Sequence, residues 1–153
     1  MTFMKQALNS AIRAMSHDDV PIGAVIVRDG KVIARGENMV QLRKNPTLHA
    51  EIVAINRACK KLGTKFLDDC DIYISLEPCA MCATAISFAR IRNVYFAAPD
   101  AKGGGITSNA RVYDTDKHLW RPTVHQIPEY ADESAQLLRD FFALRRKKSK
   151  NGE

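Results

Sequence analysis

Two short stretches constrain this chain more than anything else in it: Pro46-Thr47-Leu48-His49-Ala50-Glu51 and Leu76-Glu77-Pro78-Cys79-Ala80-Met81-Cys82. Two cysteines three residues apart, directly after a proline, are spaced to present both sulfurs on one side of a helix's first turn. The amino end of a helix is electropositive, which lowers thiol pKa values and favours the thiolate, the form that binds metal. His49 supplies a third ligand, and three protein ligands leave the fourth position of a tetrahedral zinc ion open to water. Glu51 stands two residues beyond His49, close enough to serve such a water without holding the metal. A fold for this sequence has to bring the starts of two separate helices together.

A lone Cys-x-x-C is shared by redox pairs and structural zinc ribbons. Preceded by His-x-Glu, it is the known signature of zinc-dependent base deaminases. The alternative is a closed, structural site with Cys59 or Cys70 as fourth ligand, although these form no second Cys-x-x-C and lack the paired spacing of a ribbon.

At 153 residues the chain reads as one domain over 1–148 with a short polar tail at 149–153. Residues 1–15 carry polar residues at 5, 6, 9, 10 and 13 and no continuous apolar run, and no stretch is long enough to span a membrane. A cytoplasmic location is expected, where four cysteines mean metal ligands or free thiols rather than disulfides. The net charge is +6, and most of it comes from Arg139, Arg145, Arg146, Lys147, Lys148 and Lys150, set against Asp140. Such a block suits a polyanion such as nucleic acid, or it is a solvated chain end.

Thr2 as a cap and Met4, Ala7, Leu8, Ala11, Ile12 and Met15 at helical spacing predict a first helix, ended by residues 16–19. His17 reads as a surface loop residue. Apolar runs at 23–27 and 32–34 flank Arg28-Asp29-Gly30-Lys31, a hairpin signal. Residues 41–46 read as a polar loop, with Thr47 as the N-cap of a helix over 49–61 that Gly63 ends. Strands are expected at 71–76, 93–98 and 123–127, and helices at 79–89 and 129–148. A glycine-containing loop fills 99–121. Leu137, Leu138, Phe141, Phe142 and Leu144 lie on or near the apolar side of the last helix, and His118 and His125 read as structural or surface residues. Alternating strands and helices predict an α/β fold with parallel neighbours and ligands at the carboxyl ends of the strands.

With those elements placed, the sequence resembles the cytidine deaminase-like superfamily and, within it, the bacterial tRNA adenosine deaminases, over nearly the whole chain. Besides the two zinc motifs, the segments that carry the resemblance are Asp19-Val20-Pro21-Ile22-Gly23-Ala24-Val25, Asn38 two residues after a glycine, Asp100-Ala101-Lys102-Gly103-Gly104, and Asp140-Phe141-Phe142 with Arg145-Arg146. Leu48, where a small residue is usual, Ala97, where glycine is common, and the segment 106–120 depart from the family pattern.

The resemblance implies a three-layer α/β/α fold around a mixed five-stranded sheet with helices on both faces. It implies a homodimer, with no membrane, holding one zinc per subunit on His49, Cys79 and Cys82. The implied reaction is hydrolytic deamination of adenosine to inosine at wobble position 34 of a tRNA anticodon stem-loop, tRNA-Arg being the expected substrate. Glu51 is then the proton shuttle, Asn38, Ala50, Glu77 and Pro78 seat the base, and Lys102, Phe141, Phe142, Arg145 and Arg146 contact RNA. Two rivals remain at this point. One is a salvage deaminase of guanine, cytosine or a nucleoside, although His49 stands where free-cytidine enzymes carry cysteine. The other is a non-catalytic RNA-binding module with a structural zinc, which needs a fourth protein ligand.

Overall fold

Asp29 and Gly30 turn the chain as their chemistry predicts. In a computed structural model of the protein, which describes residues 1–152, both have positive φ, 50° and 74°. That is the backbone a two-residue hairpin turn requires. They join β1 (Gly23–Arg28) to β2 (Lys31–Glu37), which pair antiparallel. β3 (Asp71–Leu76) lies antiparallel on the other side of β1, and β4 (Asn93–Ala98) and β5 (Thr123–Gln126) follow in parallel. The five-stranded sheet has the order β2-β1-β3-β4-β5 and is mixed, as expected. The chain passes from β2 to β3 over β1, through α3 (Ala50–Leu62), and from β3 to β4 through α4 (Ala80–Phe88).

The strands are apolar on both sides because both sides are covered. One core joins Ile26, Ile72, Ile74 and Val94 to Ala50, Ala54 and Ala58 of α3 and to Ala83 and Ile86 of α4. The other joins Val25, Val27 and Ala97 to Met4 and Ala7 of α1 (Phe3–Met15). The last helix, α6 (Ala131–Lys150), follows a 3₁₀ turn at Pro128–Tyr130 and docks on this second face. The result is the three-layer α/β/α arrangement. Within residues expected as loops, α2 (Val40–Arg43) and α5 (Val112–Thr115) form single turns. Tyr113 ties α5 to α4 by donating its hydroxyl to the Ala83 carbonyl at 2.7 Å.

Three expectations need correction. The apolar side of α6 stops at Phe141: Phe142 is 44 % exposed and Leu144 is exposed as well. A 20-residue helix is about 30 Å long, whereas a six-residue strand covers about 20 Å, so the helix outruns the sheet it packs on. It also continues to Lys150, beyond the boundary expected at 148. His17 is no surface loop residue. Its ring is half-buried, with Nδ1 2.8 Å from Asp19 and Nε2 3.2 Å from Glu37.

Gly36 decides how closely β2 approaches α3. A Cβ at this position would lie 2.2 Å from the Ala50 carbonyl oxygen and 2.6 Å from the Ala54 nitrogen, in the first turns of the helix that carries His49 and Glu51. Both are backbone atoms, so relief requires moving the helix. Gly36→Ala should cost about 3 kcal/mol in denaturant unfolding. Unchanged stability would mean that strand and helix are not in this contact.

Candidate active site

Two helices begin side by side in the same way. His49 and Cys79 are both N-cap residues with extended backbones, φ −67°, ψ 158° and φ −69°, ψ 174°. Their carbonyls accept the first helical bonds, from Val53 at 3.0 Å and Ala83 at 2.8 Å. Neither side chain caps its own helix, so both are free to meet across the gap. The expected N-cap, Thr47, instead donates to the Asn45 side chain through its amide at 2.9 Å and its hydroxyl at 2.8 Å, in a turn ahead of the helix.

His49 Nδ1 lies 3.6 Å from the sulfurs of both Cys79 and Cys82. The three donor atoms fall within 4.8 Å of one another, close enough to hold one metal ion, and among the described residues this group has no fourth member. Cys59 packs against, and Cys70 lies within, the core beneath α3 and α4, so neither completes a closed site. The three donors divide their protons unequally. The Cys82 thiol and His49 hold Cys79 down to about 4, while the Cys79 sulfur and burial push Cys82 up. The hydrogen bond to Cys79 raises His49.

Glu51 is 3 % exposed in the first turn of α3. Burial pushes its carboxyl up to about 7, against the pull of a backbone hydrogen bond and of His49. A carboxyl balanced there both takes and returns a proton near neutral pH. Asn38, buried just past β2, accepts from the Val40 amide at 3.3 Å, which fixes its side-chain carbonyl. Ala50 is buried in the same helix start.

Glu77 does something the sequence did not reveal. Its Oε2 accepts from the amides of Ile106 (3.1 Å), Thr107 (2.9 Å) and Ser108 (3.1 Å), and its Oε1 from the Asp100 amide (3.1 Å) and the Ser108 hydroxyl (2.7 Å). Burial raises this carboxyl, but the bonds from Ser108 and the three amides at 100, 106 and 107 outweigh it and leave it below the usual carboxylate range. The side chain is therefore committed to residues 100–108, which it straps across the start of α4. The Pro78 carbonyl adds a bond from the Gly105 amide at 2.7 Å. Only glycine fits at 105, where a Cβ would lie 2.5 Å from the Ala80 nitrogen.

Of the residues expected to meet RNA, Lys102, Phe142, Arg145 and Arg146 are exposed. Phe141 is buried and supports instead: the Arg145 guanidinium sits 5.1 Å above its ring and donates to the Asp18 carbonyl at 3.3 Å. Lys102 and Phe142 line a cavity of about 440 Å³ at the carboxyl ends of β3 and β4, together with Ile22, Leu76, Leu138 and Arg139. Arg139 was legible as part of the basic block, but its place beside Lys102 was not.

A family model described as MafB19-like deaminase matches residues 1–146. This chain belongs to that deaminase family. It is 46 % identical over 149 residues to the tRNA-specific adenosine deaminase of Agrobacterium fabrum, with 94 % of each chain covered. It is 42 % identical over 147 residues to the guanine deaminase of Bacillus subtilis, covering 94 % of this chain and 92 % of that protein. A solved structure from studies of A-to-I editing by tRNA:A34 deaminases at the wobble position superposes with a TM-score of 0.85 at 46 % identity, covering 89 % of this chain and 98 % of that chain.

Replacing Glu77 by Gln removes the negative charge and turns an amide NH₂ towards backbone donors. We expect a loss of about 3 kcal/mol at pH 7, with faster hydrogen exchange at 106–108. Because its folded pKa is depressed, Glu77 contributes fully above its unfolded pKa, and the contribution is lost as pH falls through the folded value. The variant should lack this acid-side loss. Equal pH–stability curves for the two proteins would refute the role.

Proposed function

We propose that this chain is a zinc-dependent hydrolytic deaminase that converts adenosine to inosine at wobble position 34 of a tRNA anticodon stem-loop, tRNA-Arg among its substrates. The observation that carries the reading is the His49, Cys79 and Cys82 trio, without a fourth protein ligand among the described residues, with the buried carboxyl of Glu51 in the same helix start. Zinc fits the trio. Bonds of about 2.3 Å to sulfur and 2.0–2.1 Å to nitrogen at the tetrahedral angle put N and S about 3.6 Å apart, which matches both nitrogen–sulfur spacings. When bound there, zinc supplies Lewis-acid chemistry, making water acidic enough to lose a proton near neutral pH.

The chain's residues then handle proton and base. Glu51 takes the first proton of the water that attacks C6 and delivers it to the ring nitrogen, then takes the second, from the hydroxyl now on C6, and delivers it to the amine, which leaves as ammonia while the C6 carbonyl forms. The Asn38 side chain and the backbone around Ala50, Glu77 and Pro78 orient the base. A flipped adenine in an anticodon loop reaches such a site cheaply because it is already unpaired. Lys102, Phe142, Arg145 and Arg146 bind the surrounding RNA, with Phe141 beneath Arg145. A small neutral base has no use for this cationic surface, and that favours tRNA over the second reading, guanine deamination, which the Bacillus subtilis relative supports.

The active unit is a homodimer of single deaminase domains, each closed by α6, acting in the cytoplasm. Support for the dimer comes from α4, which is apolar on every side yet leaves Met81 partly open and Phe88 70 % exposed. A helix apolar all round belongs inside an assembly. Four free thiols fit a reducing compartment. Among the described residues, no helix is long and apolar enough to cross a membrane.

The deciding assay offers the purified protein a wobble-adenosine stem-loop, free adenosine, guanine and cytosine side by side. We expect inosine in the stem-loop alone; ammonia from guanine with the RNA untouched would move the enzyme to salvage. Glu51→Ala should retain zinc while turnover falls at least about 100-fold. In the wild type, kcat/KM should fall as pH drops through the Glu51 pKa, because the base must start ionised. The charge of bound zinc places that limb below 7. Arg145→Ala with Arg146→Ala should weaken RNA binding and reduce its log–log salt slope by about 1.5. An unchanged slope would mean that the helix end is only a solvated terminus.

A further inference from the structure

The turn that closes α1 holds a group of buried titratable side chains that the mechanism above leaves unused. His17 stands between two carboxylates almost shut off from water. Its Nδ1 is 2.8 Å from Asp19 Oδ2 and its Nε2 is 3.2 Å from Glu37 Oε2, with Asp19 1 % and Glu37 6 % exposed. Among the described residues, no lysine or arginine pairs with either carboxylate, and His17 is the only side chain that bonds Glu37. A carboxylate taken out of water needs a counter-charge or donors to face it. For Glu37 that partner is the imidazole alone.

The bonds continue from this trio to the base-binding side chain. Asp19 accepts from the amides of Gln41 at 2.7 Å and Leu42 at 3.1 Å, in the single turn of α2. The Val40 amide of the same turn goes to the side-chain carbonyl of Asn38. Glu37 immediately precedes Asn38, whose own amide donates to the Ile22 carbonyl at 3.1 Å. The next amide, of Met39, donates at 2.9 Å to the carbonyl of Leu48, the residue before the metal-site His49. A closed circuit results: Glu37 to His17, His17 to Asp19, Asp19 to α2, and α2 back to Asn38. Asn38 is thus held through its backbone neighbour on one side and through its side chain on the other.

We propose that His17 is a positioning residue for the deamination: by bridging Glu37 and Asp19 it fixes Asn38, and through Asn38 the base, against the metal site. The proposal rests on the reading that Asn38 seats the reacting base. Both ring nitrogens of His17 are taken by the carboxylates, so it acts through Asn38 and not on the base itself. Alignment of the reacting base governs the turnover step, where a misplacement of about 1 Å costs up to about 100-fold. Affinity for RNA comes mainly from phosphate contacts, which the bridge does not make. A tie that served stability alone would lower the melting temperature and leave the turnover of the folded enzyme as it was.

The full-length, zinc-loaded protein is compared with His17→Phe, which keeps a ring and removes both bonds, and with His17→Phe combined with Glu37→Leu. The double variant leaves no carboxylate unpaired at 37, and replacing a buried ion pair by apolar side chains is often neutral for stability, so it carries the test if the single variant fails to fold. On the stem-loop we expect kcat to fall at least about tenfold in both variants, with KM within about twofold of wild type and zinc content unchanged. Without any substrate, hydrogen exchange at the Gln41 and Leu42 amides should quicken at least about tenfold in both. Three results overturn the proposal: a variant that turns over like the wild type whatever its melting temperature, a loss confined to KM, or unchanged exchange at 41 and 42. A wild-type enzyme that deaminates guanine and leaves the RNA untouched removes the substrate reading, and kcat is then compared on guanine. The exchange measurement needs no substrate and judges the bridge even where that reading fails.

Discussion

The structure depends on two helix starts meeting at one edge of the sheet. α3 and α4 are each entered through an extended residue, His49 and Cys79, whose carbonyl closes the first turn while its side chain is left unused by its own helix. Electropositive helix ends would repel one another if nothing negative lay between them. A thiolate and a neighbouring carboxylate answer that field, which is why cysteine and glutamate suit these positions. The close approach of β2 to α3 at Gly36 and the small residues lining both helices bring the two starts close enough for His49, Cys79 and Cys82 to be able to hold one ion.

Around this pair the protein uses buried carboxylates in two opposite ways. Glu51 is buried with too little compensation, so its proton affinity rises towards neutrality and it becomes a base that can also act as an acid. Glu77, a residue away from Pro78 and equally hidden, is compensated by five hydrogen bonds and stays ionised as a clamp on residues 100–108. The chemistry of the two groups is the same, and the number of donors facing each decides whether its proton affinity rises or it stays ionised and holds backbone. The clamp also places Lys102 beside the cavity that Phe142 and Arg139 reach from α6.

The family frame tolerates different substrates. Relatives acting on a base within tRNA and on free guanine share more than 40 % of their residues with this chain. What distinguishes a polymer substrate must then lie outside the metal site, on surfaces such as the end of α6. Phe141 is buried so that Arg145 can be held above it, and Phe142, one residue on, faces out. A helix longer than the sheet beneath it thus provides both an anchor and a free cationic end.

Local spacing alone determined the metal trio, Glu51, the Asp29-Gly30 turn, the five strands and the alternating α/β order, because each is encoded within a few consecutive residues or a short period. Contacts between distant segments were decided by the tertiary structure. His17 looked like a loop residue because its partners Asp19 and Glu37 come together only when the end of α1 meets the end of β2. The clamp made by the Glu77 side chain was not legible because no periodicity announces five donors from residues 100–108. Phe141 and Phe142 were indistinguishable neighbours until the length of α6 was set against the sheet. Arg90, Phe66 and Trp120 had no relation at all along the chain, and only the packing of three loops at one edge of the sheet brings the Arg90 guanidinium beside both rings.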